Sequence, residues 1–254
     1  MDNLLIFGRN AVLEILRDRN HAQKQTNSIN AMYVQTNSKG LGEHFSLAKK
    51  LKLVVKEVPQ SKLDEMSEGE RHGGVIVALS AVEYVEISEL LPQSDQAPPP
   101  FLLLCDGIED PHNLGALIRT AEAAGVTGII LPKRRNVSVT SAVYTASAGA
   151  AAHMKIARVT NLVDTIKLLK ENGFWVYGAE ADGEPYTKVD FSGSSIALII
   201  GSEGRGLSRL VRESCDVVVS VPMHGKINSL NASVCGGVLM FEIAKVMYKL
   251  EVIK

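Results

Sequence analysis

A chain of 254 residues with 46% hydrophobic and 22% charged residues can bury a full core, which excludes a disordered polymer. The formal charge is −1, with 11 Lys/Arg against 13 Asp/Glu over residues 1–96 and 16 against 15 beyond them. That balance excludes a generic polyanion binder and leaves room only for a local basic patch.

The first 80 residues alternate helix and strand signals. Ala11, Val12, Ile15 and Leu16 recur at helical spacing after Gly8. Ala31–Gln35 and Leu53–Val58 read as short strands around a helix near His44–Leu51, and Val75–Leu79 as a third strand. LLPQSDQAPPP then holds four of the nine prolines and no amphipathic pattern, so it reads as a linker. Beyond Pro100 the pattern is βα throughout. Strands are predicted at Phe101–Cys105, Gly128–Leu131, Phe174–Ala179, Ile196–Ile200 and Val217–Val221. Helices are predicted at Asn113–Ala124, Ser141–Ala152, Val163–Lys170, Leu207–Ser214 and Ala232–Leu250. The expectation is an α/β fold with a mostly parallel sheet behind a smaller α/β domain, divided as 1–82, a linker over 83–100, and 101–254.

Three cysteines without CxxC spacing predict no disulfide framework. Six histidines without HExxH or an i, i+4 pair predict no metal site. The opening MDNLLIFGRN has no basic n-region, and no apolar run reaches bilayer length, so the expected setting is cytoplasmic, with no membrane partner.

Ligands of open α/β sheets bind beyond the carboxyl ends of strands, which directs attention to the residues after each apolar run. DGIEDPHNLGALIRTAE ends a buried strand and opens a helix, with Asn113 placed as an N-cap and Arg119 about two turns along. IIGSEGRGLSRL carries Gly201, Gly204 and Gly206 as GxxGxG, which is neither the dinucleotide fingerprint nor a Walker A loop. Glu203 within it disfavours a phosphate and suits a cation or a hydroxyl donor. VPMHGKINSLNASVCGG places Asn231 as a cap for the last helix, followed by the small residues Cys235, Gly236 and Gly237. Each place alone reads most simply as a strand-to-helix turn. Their shared arrangement of strand, polar loop and helix raises the functional reading.

These residues resemble the SPOUT superfamily, specifically the SpoU (TrmH-type) RNA ribose 2′-O-methyltransferases. The three motifs occur in order: Asn113 through Arg119-Thr-Ala, Ile200-Gly-Ser-Glu203-Gly-Arg-Gly-Leu-Ser, and Pro222-Met223 followed by Ser229-Leu-Asn231-Ala-Ser-Val. TASAGAAAHMKIARVTNL resembles the family's middle region. FGRNAVLEIL and RHGGVIVAL resemble the L30e-like substrate-binding domain of the RlmB-type branch, which methylates a guanosine of large-subunit (23S) rRNA.

The resemblance implies a trefoil-knotted methyltransferase domain behind an L30e-like RNA-binding domain. It implies a homodimer with the final helix in the interface, RNA as partner rather than DNA, and S-adenosylmethionine as cofactor. The cofactor positions fall on Ala179, Gly201, Val221, Met223 and Leu230. The catalytic positions fall on Asn113, Arg119, Glu203, Ser229 and Asn231. Arg119 would act as the base or would stabilise the alkoxide and orient a phosphate. Asn113, Ser229 and Asn231 would position ribose, phosphate and Arg119, and Glu203 would fix the loop or Asn113. Lys133-Arg134-Arg135, and Arg9, Arg17, Arg19 and Lys24, are further phosphate-contact candidates, although such charges more often face solvent. The alternatives are the same chemistry on tRNA or on an rRNA adenosine, and a non-catalytic ribosome-assembly factor.

Overall fold

The computed structural model describes residues 4–21, 29–80, 82–92, 94, 98–192, 195–227 and 229–249, with the backbone alone for 18–21. The chain divides into two compact units, Met1–Glu83 with Val139–His153, and Tyr84–Ser138 with Met154–Lys254.

In the first unit, β1 (Leu4–Phe7), β2 (Ile29–Gln35), β3 (Val55–Val58) and β4 (Val75–Leu79) form one sheet in the order β1-β4-β2-β3. β4 (VIVAL) is buried at every position, as a central strand should be, and runs antiparallel to both neighbours. Helix α1 (Arg9–His21) buries Val12, Ile15 and Leu16 of the stripe that its spacing predicts, and leaves Ala11 half-buried. Helix α2 (Gly42–Lys50) buries Leu47 and Ala48. β1 and α3 (Gln60–Met66) escape the periodicity reading because β1 has four residues and α3 buries only Leu63. Arg9 donates to the carbonyls of Gly73 and Lys39, and Arg17 pairs with Glu43 at 2.7 Å. Both cations are therefore engaged within the unit. Lys24 and the side chain of Arg19 lie outside the described residues.

The second unit is a six-stranded parallel sheet. Its strands are β5 (Phe101–Asp106), β6 (Gly128–Pro132), β7 (Ile156–Val159), β8 (Phe174–Pro185), β9 (Ser195–Gly201) and β10 (Val217–Ser220). Their order is β10-β8-β9-β5-β6-β7. Helices α4 (Pro111–Ala123), α6 (Leu162–Glu171), α7 (Arg209–Ser214) and α8 (Ala232–Met247) follow β5, β7, β9 and β10. The chain walks outward from β5 to β7, returns to lay down β8, and inserts β9 between β8 and β5. This reversal makes the carboxyl ends of β5 and β9 a topological switch point, where Asp106 is the register partner of Gly201. Leu102, Leu104, Ile130, Ala197 and Ile199 pack with Ile166 and Leu169 of α6 beneath it.

Several expected boundaries move for identifiable reasons. The helix predicted over Ser141–Ala152 is α5 (Ser141–Ala146) in the first unit. It stops where Ala148 (φ 49°) and Gly149 (φ 83°) turn left-handed, and a 3-10 turn follows at Ala150–Ala152. Part of the segment expected as linker has a packing role. Val85 N–H donates to Ile156 O at 2.9 Å, and Leu90 is buried in the second core. Strand β8 runs six residues past its predicted end, and α8 stops three residues before Leu250.

Candidate active site

Asp110, rather than Asn113, caps α4. Its side chain accepts from His112 N–H at 3.0 Å, and Pro111 fills the first helical position, where no N–H is needed. Asn113 is thereby released from capping, although it is buried.

Asn231 does cap α8, and it does more. Its Oδ1 accepts from Ser233 N–H at 2.9 Å, Ser233 Oγ–H at 2.6 Å and Val234 N–H at 3.3 Å. Its Nδ2 donates to Asn113 Oδ1 at 3.0 Å and to Glu203 Oε1. One amide thus ties the starts of α4 and α8 to the glycine-rich loop. Asn113 thus accepts through its oxygen, and its own amide N–H groups have no hydrogen-bond partner among the described residues. Glu203 engages Asn231, whereas the sequence offered loop geometry or Asn113.

The glycine-rich loop closes on itself. Ser202 N–H donates to Gly206 O at 3.0 Å and Gly206 N–H to Ser202 O at 2.9 Å. Gly204 (φ 78°) and Gly206 (φ 65°) supply the left-handed turns. Gly201 has no room for a Cβ, because the Gly206 backbone lies against it.

Helices α4 and α8 run side by side in the same direction. Asn113 meets Asn231 at their starts. In the middle, a Cβ on Gly236 would collide with Leu117. At their ends, Tyr248 O–H donates to Gly125 O at 2.5 Å.

Beneath this network lies a cavity of about 520 Å³. Ala179, Gly201, Val221, Met223 and Leu230 all line it, as do Glu203, Ser229 and Asn231. Asn113 adjoins it through Asn231. Arg119 does not line it. That side chain is exposed on α4, with no hydrogen bond or ion pair among the described residues. Two carboxylates, Glu180 and Glu203, face one guanidinium, Arg205, around the cavity. Cys235 also lines it, and burial pushes its thiol pKa upward, so it stands there as a neutral thiol.

Glu180 was missed by the sequence reading because it lies past the expected end of β8. There, β10 pairs with Gly178 and then with Glu184, so residues 179–183 leave the β10 ladder, and Ala179, Glu180 and Ala181 among them line the cavity. An acidic residue directly after an apolar run was the available signal. On the opposite flank, the 133–137 loop is fastened beside the switch point. Ile108 N–H donates to Asn136 Oδ1 at 2.8 Å, and Val137 N–H to Ile108 O at 2.9 Å. Lys133, Arg134 and Arg135 are exposed there.

Known proteins share the family and the fold of this chain. The SpoU rRNA Methylase family profile matches residues 100–241, and a profile described as RNA 2′-O ribose methyltransferase substrate binding matches residues 5–85. YacO of Bacillus subtilis strain 168, named as a TrmH family tRNA/rRNA methyltransferase, is 42% identical over 240 residues, 94% of each chain. The AdoMet-bound rRNA methyltransferase of Sinorhizobium meliloti superposes with a TM-score of 0.75 at 22% identity, covering 98% of this chain and 88% of that one. The SpoU methyltransferase AviRb of Streptomyces viridochromogenes, in complex with AdoMet, gives 0.76 at 20% identity, covering 96% and 89%. With the profile spanning more than half of its length and a 42% identical relative matched nearly end to end, this chain belongs to the SpoU (TrmH-type) rRNA methylase family.

Proposed function

We propose that this protein transfers the methyl group of S-adenosylmethionine to a ribose 2′-hydroxyl of RNA, with a guanosine of large-subunit rRNA as the target. The observation that carries the reading is the Asn231 amide, which joins Asn113 and Glu203 at the edge of a cofactor-sized cavity. A volume of about 520 Å³ lies within the roughly 300–1,000 Å³ of small-molecule sites. The backbone of residues 201–206 and the apolar Ala179, Ile200, Val221 and Leu230 suit an adenosine. The carboxylate of Glu203 suits a cationic sulfonium and opposes a phosphate-bearing nucleotide.

Bound there, S-adenosylmethionine supplies an electrophilic methyl. The carbon–sulfur bond breaks with its electron pair going to sulfur, which leaves as the neutral thioether S-adenosylhomocysteine, as the 2′-oxygen forms the new bond, and the hydroxyl proton passes to solvent water. Asn113 offers its amide N–H groups to the ribose, and Ser229, which lines the cavity, offers a hydroxyl to the substrate. Arg119 is exposed and, among the described residues, unpaired, which suits it to hold the RNA phosphate and stabilise the developing alkoxide. A guanidinium normally keeps its proton, which favours this role over that of a base. Holding both reactants in line supplies much of the acceleration.

The exposed Lys133-Arg134-Arg135 cluster, held beside the α4 entry, fits the phosphates flanking the target nucleotide. Met223, Ile227, Val234, Val238 and Phe241 are large apolar residues left exposed on and before α8. They support a homodimer formed through this helix. The knot implied by the resemblance belongs to the same reading, as does a cytoplasmic setting. Among the described residues, no helix is long and apolar enough to cross a membrane.

The test is radiolabelled methyl transfer to unmodified large-subunit rRNA with tRNA in parallel, followed by nuclease digestion and mass analysis. A 2′-O-methylguanosine in the rRNA is expected. Label in tRNA alone, or on an adenosine, would keep the chemistry and replace the target. Cofactor binding with no transfer to either RNA or to assembling subunits would indicate a non-catalytic factor.

A further inference from the structure

Strand β9 is flanked by β8 on one side and β5 on the other, both parallel to it. On the β5 side Asp106 is paired with Gly201. On the β8 side the last pair is Ala179 with Ile200, so Glu180 follows directly after it, level with Gly201. Two carboxylates therefore bracket the point where the glycine-rich loop departs. The loop turns through Ser202–Gly206, closes on itself and returns between them. Glu180 Oε1 accepts from Leu207 N–H at 2.6 Å, and Asp106 Oδ2 accepts from Ser208 N–H at 2.6 Å. Both bonds are short and charge-assisted, and they fall on consecutive amides. Gly206 makes this approach possible, since a Cβ there would lie 2.5 and 2.6 Å from the two Glu180 oxygens.

We propose that Asp106 and Glu180 are positioning residues that clamp the returning end of the glycine-rich loop from both sides and so fix the shape of the S-adenosylmethionine pocket. The inference rests on the cofactor reading above. Residues 201–206 line the cavity, and Glu203 within them holds Asn231. A loop released at Leu207 and Ser208 would loosen the pocket wall and the asparagine pair together. The clamp needs only an acceptor oxygen at each position, so amide replacements preserve it and alanine removes it.

The experiment measures S-adenosylmethionine binding by calorimetry and backbone hydrogen exchange at Leu207 and Ser208, in wild type and in Glu180→Ala, Glu180→Gln, Asp106→Ala and Asp106→Asn. The two alanine variants are expected to weaken binding roughly tenfold or more and to speed exchange at the released amide. The Gln and Asn variants are expected to stay within about threefold of wild type on the same scale. Alanine variants that bind like wild type would overturn the proposal. Gln and Asn variants as weak as alanine, with exchange unchanged, would also overturn it by showing direct charge contact with the cofactor. A wild-type chain that fails to bind S-adenosylmethionine would sink the cofactor reading and this role together. Exchange in the ligand-free variants would still show whether the two carboxylates hold the loop.

Discussion

Asn231 donates a 3.0 Å hydrogen bond to Asn113, a residue 118 positions earlier in the chain. That bond leaves the Asn113 amide nitrogen as the group without a partner among the described residues, which suits binding to ribose or phosphate oxygens.

Replacing Asn231 by alanine removes a helix cap, worth about 1 kcal/mol, together with both donated bonds. Methyl transfer should fall by about two orders of magnitude, as when a preorganised donor is lost. Asn231→Asp keeps the capping oxygen but loses the donors and sets a second carboxylate against Glu203. Its transfer rate should be as low as that of the alanine variant. Single-turnover rates compared with thermal unfolding of both variants separate the cap from the donors. An Asn231→Asp enzyme with normal rates would remove the orienting role.

Arg119 is exposed and, among the described residues, unpaired, so Arg119→Ala should leave the melting temperature and the S-adenosylmethionine affinity nearly unchanged. Transfer should drop at least about 100-fold. The pH–rate profile of Arg119→Lys distinguishes the two roles, because a lysine can lose its proton near pH ~10.4. Activity that climbs toward that pH would favour a base, and a flat, partly retained rate would favour alkoxide and phosphate stabilisation.

The 133–137 loop makes a salt-dependence prediction. Charge reversal at Lys133 or Arg134 should weaken RNA binding while leaving cofactor affinity intact. For each single-strand phosphate contact removed, the slope of log K against log salt should shrink by about 0.7. Filter binding across a salt series reads this directly, and an unchanged slope would return the cluster to a solvated turn.

Burial, with Asp106 nearby, pushes the Cys105 thiol up to about 12, and burial pushes Cys215 up to about 12. An unfolded thiol titrates near ~8.5, so below that pH both states hold the proton and stability does not depend on these groups. As pH rises from there toward 12, the unfolded chain releases protons that the folded chain keeps, and stability falls. The slope is about 1.4 kcal/mol per pH unit for each thiol. Urea midpoints between pH 8 and 11 should show the fall, and Cys105→Ala should make it shallower.

If α8 forms the dimer face, Val238→Glu or Phe241→Glu should yield monomers in sedimentation velocity, since a charge at either place meets desolvation with no partner. A dimer that persists in both variants would place the interface elsewhere.

Legibility in the sequence followed the length and burial of each element. β5, β6, β9 and α4 announce themselves through continuous or periodic apolar residues. β1, α3 and β7 were too short to do so, since four to seven residues carry barely two turns of any period. Of the cavity lining, Ala179, Gly201, Val221, Met223 and Leu230 were legible through the family resemblance. The Asp106–Ser208 and Glu180–Leu207 bonds were not, because they arise from strand order. Nothing in the local pattern around residue 180 or 106 says that β9 will insert between β8 and β5. The cap of α4 was misplaced by three residues for a local reason, as Asp110-Pro111 makes a better helix entry than Asn113.

The pairing of α4 with α8 works as a lock with three pins. Sliding one helix past the other by a single residue is a translation of about 1.5 Å, enough to part a hydrogen bond. It would break Asn113 from Asn231 and Tyr248 from Gly125, and it would move Leu117 off the space that Gly236 leaves for it. The two helices therefore have no graded series of offsets to sample. Thermal agitation leaves them seated or disengages them outright, so heating should reduce the number of active molecules while each survivor keeps its full rate.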